Sequence, residues 1–253
     1  MKTNIKLIFI FLLIVVILGS VSMNIFNAKK HTIKTVKNIT PAVIETKEPI
    51  NMCYFRLIKT DRGFFDKTWI KLSILDDKVT GEFYSIPAEK DSKIGTFEGT
   101  VGPVDKTSMS RNADVWWDTI GEGMKVREEL SIEFGDGSAS VGAGEMIDRG
   151  DGVYVYKDKT KLAYNESLSQ YDCIYLDEKI LTEKYIQDNI KTIATNKPVL
   201  GGSWNVMSVN ADPISKQGGV VYEDGHIQSK ATFTYSYDID TKNITISKFV
   251  IIK

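Results

Sequence analysis

The sequence predicts an all-β ectodomain, a small meandering β-barrel or sandwich plus a short C-terminal β module, with one amphipathic linking helix and an N-terminal transmembrane helix. Three observations predict it. From Asn51 onward, short stretches of alternating apolar and polar residues recur at spacings of about ten residues, as half-buried strands joined by tight turns do. The period changes once, to that of a helix, between Asp177 and Asn196. Residues 7–18 form an uncharged, strongly apolar run behind Lys2 and Lys6.

With residues 19–26 added, that run reaches the roughly 20 residues needed to cross a bilayer. Two readings fit residues 1–27. A cleaved signal peptide has this basic start and apolar middle, with Ser20-Val21-Ser22 as its small-x-small site. An uncleaved anchor fits the longer span and the bulky Met23, Ile25 and Phe26, and is the expectation adopted. No cysteine follows the run closely, as lipid modification requires. Orientation signals conflict. Lys29, Lys30, Lys34 and Lys37 follow the span and favour a cytoplasmic C-terminal part. The short N-terminal tail and signal-like layout favour a single-pass cell-membrane protein whose folded part is extracytoplasmic, which is the expectation. Residues 28–50 lack a steady period, contain Pro41 and Pro49, and read as a flexible tether.

Residues 51–175 read as the barrel or sandwich domain. "MCYFRLIK" is a strand; "WIKLSIL" puts Ile70, Leu72 and Ile74 on one face, and "VTGEFYS" returns after a turn at Asp76–Lys78. "GTFEGTV" aligns Phe97 and Val101 with Gly95 and Gly99, glycines suited to a tightly curved wall. "ADVWWD", "VREELSIEF", "ASVGAGEM", "GVYVYK" and "KLAY" complete the block, with "GDGS" as a turn. Residues 177–198 read as the linking helix, with Thr182 as N-cap, Tyr185, Ile186, Ile190 and Ile193 on one face, and Pro198 beyond its end. Residues 199–253 read as a four-stranded module that stands alone or packs through the helix on the barrel. Its Asp224-Gly225 predicts a two-residue type I′ hairpin flanked by Glu223 and His226 as a surface cross-strand pair.

Composition narrows the function. The net charge is −1, but residues 1–50 carry seven lysines against Glu45 and Glu48, so the rest is at about −6. A mildly acidic folded part without a basic stripe argues against nucleic acid. Cys53 and Cys173 are the only cysteines and lie beyond the apolar run. In an exported domain they read as one disulfide, worth on the order of 4–5 kcal/mol in the chain-entropy model. Two distant cysteines and two histidines supply too few soft ligands for a metal site.

The motifs "YIQDNI", "PVLGGSW" and "YEDGHI" resemble the C-terminal module of uncharacterised, membrane-anchored exported bacterial proteins. "PAEKDSKIGTFEGTVGP", "ADVWWDTIGEGM" and "GEMIDRGDGVYVYKD" resemble its N-terminal partner, so the likeness spans most of residues 51–253. It implies an envelope location and no known activity. "LGGSW" followed by "YEDG" is similar, more loosely, to the META domain, whose cysteine-asparagine motif this chain lacks.

Catalytic patterns are few. His226 is the one histidine beyond the tether and no G-x-S-x-G elbow accompanies it, which argues against a serine hydrolase. No phosphate-binding glycine loop is present, so no nucleotide and no cofactor is indicated. "DRGDG" at 148–152 lacks the rest of a calcium loop and reads as a turn. Asp114, Asp118, Glu122, Glu128, Glu129 and Glu145 gather around Trp116 and Trp117, the residue mixture of many sugar-binding grooves. Trp116, Trp117, Glu122 and Glu145 are therefore the candidate ligand-binding residues. The favoured role is non-catalytic binding of an envelope glycan, peptide or protein partner, or structural service there. The alternatives are a wall glycan- or peptide-acting enzyme using those carboxylates, or an inhibitor presenting residues 103–125 as a loop.

Overall fold

The computed structural model describes residues 47–121, 123–199 and 201–252. The expected anchor or signal segment 1–27, most of the tether and Glu122 lie outside the described residues. Apart from the first 46 residues, the chain forms one compact unit.

The strands in chain order are β1 (Ile50–Lys59), β2 (Phe65–Leu75), β3 (Lys78–Ile86), β4 (Lys93–Val101), β5 (Arg111–Gly121), β6 (Met124–Phe134), β7 (Ser138–Val141), β8 (Met146–Asp148), β9 (Val153–Tyr156) and β10 (Ser167–Tyr171). Eight of them close an antiparallel barrel in the order β5-β4-β3-β2-β1-β10-β7-β6, with β6 pairing back onto β5. The β8–β9 hairpin joins this wall through a parallel pairing of β9 with β6. Alternation decides which face each strand buries. Tyr54, Ile70, Leu72, Phe97, Trp117 and Ile132 pack inside the ring, each at most 3% exposed. Closure removes the barrel's edges, and these side chains fill its interior. Gly95 and Gly99 are required by the curvature: a Cβ on either would strike the main-chain carbonyl of Asp118 or Asp114 on β5.

The last barrel strand differs from expectation. "KLAY" begins on the last residue of a 3-10 turn, Lys159–Lys161, and goes on to a single bridge from Ala163 to Ala143. The ring closes instead through β10, "SLSQY", whose only fully buried residue is Leu168. Its ladders with β1 and β7 hold it there, and a sequence this polar carries little alternation to announce them.

Helix α1 runs from Cys173 to Ile193, so it starts earlier than 177 and ends before 198. Its N-cap is Asp172, whose carboxylate accepts the N–H groups of Ile174 and Tyr175. Thr182, the expected cap, is fully buried in mid-helix. The expected Cys53–Cys173 disulfide is present and ties the first helical residue to β1, with Cα atoms 5.3 Å apart. The first half of α1 covers the outside of the barrel, where Leu176 meets Trp69, Phe55 and Tyr171. The second half places Ile186 and Ile190 on the C-terminal sheet.

That sheet is the antiparallel meander β11 (Asn205–Asp212), β12 (Gln217–Glu223), β13 (Gln228–Tyr237) and β14 (Ile244–Ile252). It packs on the barrel through the helix. Ala211 lies on edge strand β11; its N–H donates to Glu183 Oε1 at 3.0 Å and its C=O accepts from Lys179 Nζ at 2.6 Å. The helix thus offers that edge the donor and acceptor a further strand would supply. Lys67 of β2 also pairs with Glu183, and the Phe65 N–H donates to Ser208 Oγ at 3.2 Å. Burial pulls the Lys179 ammonium down, against the opposing pull of Glu183.

The turn around His226 is not the expected two-residue hairpin. Glu223 pairs with Gln228, leaving a four-residue loop, and Glu223 and His226 are not cross-strand partners. Gly225 alone takes a positive φ, 87°, where a type I′ turn needs two such residues. The Asp224 carboxylate fixes the loop by accepting the N–H groups of His226 and Ile227, both at 2.9 Å, and that of Val199. The donors of Ile227, Val199 and His226 hold its carboxyl below the usual range. Its contribution is therefore complete above the ordinary aspartate pKa, about 4, and is lost as pH falls through the lower folded value. Asp224→Asn is expected to make the acid-side fall in stability shallower, read from denaturation midpoints between pH 5 and pH 2, a window set around that ordinary value.

Candidate binding face

Three strands bring the candidate residues onto one outer wall. Trp116 on β5 stands opposite Glu98 on β4 and Glu129 on β6. One step along the same face, Asp118 stands between Thr96 and Arg127; one step the other way, Asp114 stands between Thr100 and Ser131. Outward alternation on β4, β5 and β6 thus sets four carboxylates around one half-buried tryptophan.

Two cations organise them. The Arg127 guanidinium lies over the Trp116 ring, 5.7 Å from its centroid, and reaches Glu98 at 3.3 Å and Asp118 at 3.5 Å. Lys159, from the 3-10 turn, reaches Glu129 at 2.7 Å and Asp114 at 3.4 Å. The hydrogen bond it donates to Glu129 is the main cause of its raised ammonium pKa, with Asp114 adding to it. The face therefore carries four carboxylates against two cations around an apolar platform. It presents planar acceptors and a donor fork beside one flat ring, a set suited to hydroxyl-rich ligands.

The other candidates separate from this face. Trp117 turns inward, 2% exposed, with its ring 4.8 Å from Phe83. Trp116 and Trp117 therefore cannot serve one surface. Glu145 leads into the β8–β9 hairpin and pairs with Lys157 at 2.7 Å. Glu128, next to Glu129 in the chain, turns toward the barrel end, 2.5 Å from Lys93. There it lines a pocket of about 380 Å³ with Met124, Val126, Met146 and Tyr154. The irregular segment expected over 103–125 spans only 102–110, since 111–121 is β5. It folds back on itself: Asp105 accepts from Thr107 at 2.7 Å and donates its N–H to Ser110 O at 2.8 Å. The Arg-Gly-Asp stretch is the β8–β9 turn, with Arg149 on Asp151 at 3.1 Å. Among the described residues, no group of three or more His, Cys, Asp or Glu is placed to hold a metal ion.

Sequence reasoning missed Glu98, Arg127 and Lys159. Glu98 and Arg127 were readable as outward positions of their own strands. Their place beside Trp116 depends on strand register, which the hairpin lengths fix. Lys159 arrives from outside the sheet and carried no signal. No protein-family model matches the chain, and no curated protein and no solved structure matches it.

Proposed function

We propose that the chain is a non-catalytic binding protein of the cell envelope that recognises wall glycan through the Trp116 face. The observation that carries this reading is the outward Trp116 ring framed by Glu98, Asp114, Asp118 and Glu129. A sugar ring would displace the Arg127 guanidinium from the indole and lay its C–H face there, while the acids and the displaced Arg127 take its hydroxyls. Envelope placement is supported by the disulfide, a bond that persists in oxidising compartments, and by the apolar N-terminal run.

An enzyme of the glycosidase kind needs two carboxyls flanking one bond in an open cleft. Here the acids stand on the outside of a barrel wall, each drawn to Arg127 or Lys159, and Glu128 and Glu129 diverge. This arrangement favours binding over cleavage. The test is sedimentation of the full chain with insoluble peptidoglycan. Wild type is expected to co-sediment saturably. Trp116→Ala is expected to lower the affinity by a factor on the order of ten or more, as an aromatic anchor does, with the melting temperature lowered by no more than about 4 °C. Absence of saturable binding, or equal binding by the variant, would sink the reading.

A further inference from the structure

The two edges of the C-terminal sheet are finished differently. On β11 the helix pair Lys179 and Glu183 occupies the free main-chain groups of Ala211. On β14 no comparable cover is present among the described residues, although its last four residues, Phe249–Ile252, are apolar on both faces. Toward the helix it presents Ile244, Ile246, Phe249 and Ile251, all only half-buried, while the inner strands bury Val220, Tyr222, Phe233 and Tyr235. Away from the helix, Val250 is 42% exposed and Ile252 52%. Two-sided apolarity belongs to strands with neighbours on every side, not to an edge. Beside β14, a groove of about 370 Å³ opens between it and the helix, walled by Tyr185, Ile193, Ile246 and Phe249.

We propose that β14 is a docking edge for an extended segment of a partner polypeptide with alternating apolar and acidic residues. The segment would add as a fifth strand, its apolar side chains entering the helix-side groove. The charge bordering the groove selects the partner. Lys248 is the one charged residue there; paired with Thr234 beside the groove-facing Phe249, it stands on the face that receives the acidic residues of an added strand, and it makes no ion pair among the described residues. Ser247 is an extra residue on β14, since Tyr235 pairs with Ile246 and Thr234 with Lys248. A bulge and a lysine are the devices that discourage an edge from pairing with its own copy. A second copy would also bring a second Lys248 to the same edge, whereas an acid-bearing strand neutralises the one present.

The experiment titrates the full chain with two fluorescent synthetic strands, one alternating valine with glutamate and one alternating valine with lysine. Hydrogen exchange follows the β14 amides. The valine–glutamate strand is expected to bind, to protect the amides of Phe249–Ile252, and to exceed the valine–lysine strand. Lys248→Glu, an exposed change, is expected to shift the ratio of the two affinities about tenfold toward the valine–lysine strand. Equal binding of both strands, binding that leaves β14 unprotected, or no binding overturns the proposal. So does concentration-dependent protection of β14 without peptide, which assigns the edge to a second copy.

Discussion

Trp117→Ala is expected to destabilise the protein by about 3–5 kcal/mol, while Trp116→Ala costs less than about 1 kcal/mol. The two residues are chemically identical and adjacent, so the difference is one of position. Trp117 is 2% exposed inside a closed ring, stacked obliquely on Phe83 and opposite Phe97. A closed ladder cannot collapse into the space an alanine leaves, so both the lost burial and the cavity count. Trp116 rests on the outside under Arg127, and its removal loses only a surface contact. The indole N–H of Trp117 gives a further check: it has no hydrogen-bond partner among the described residues, so Trp117→Phe loses volume but no bond. Trp117→Phe is expected to be milder than Trp117→Ala. Urea denaturation of the three variants reads these differences. Equal losses at 116 and 117 would mean that the outer tryptophan is part of the wall's packing, and the binding face would have to be reconsidered.

Glu183→Ala is expected to cost about 3–5 kcal/mol and to loosen the C-terminal sheet from the barrel. Glu183 is the shared partner of Lys67 and Lys179, and the three side chains are 9% exposed or less. Removing it leaves two buried ammonium groups without a counter-charge, Lys179 keeping only the neutral acceptors of Asn210 and Ala211, and frees the Ala211 N–H. The penalty comes chiefly from these stranded groups, because an intact buried ion pair adds little net stability over apolar residues of the same shape. The triple change Lys67→Met, Lys179→Met and Glu183→Leu is therefore expected to recover much of the loss. Hydrogen exchange at Ala211 separates the two contributions: the single variant exposes that amide. A Glu183→Ala protein with wild-type stability would show that water reaches the cluster and solvates the lysines.

The inward rows of the barrel were legible because alternation at Ile70, Leu72 and Ile74, or at Phe97 and Val101, states which face is apolar. The helix was legible only in its second half. Its first half buries Glu178, Lys179 and Glu183, and a reading that sends charge to solvent places the start too late. The Asp224-Gly225 turn was located, yet its type was misjudged. The Asp224 carboxylate reaches Val199, a partner 25 residues away, and that contact fixes a longer loop.

By itself, the sequence determined most of the strands, the existence of the helix, the disulfide partners and the mixed tryptophan–acid composition of β5 and β6. Each is a local period or a residue count. Tertiary structure alone decided ring closure through β10, the split of Trp116 from Trp117 between two surfaces, and the gathering of Glu98, Arg127 and Lys159 around the outer ring. It also decided which edge of the last sheet is finished by the helix and which stays open. The physical reason is that register and packing join residues far apart in the chain, and an alternating pattern fixes which face a residue takes but not which neighbours it meets there.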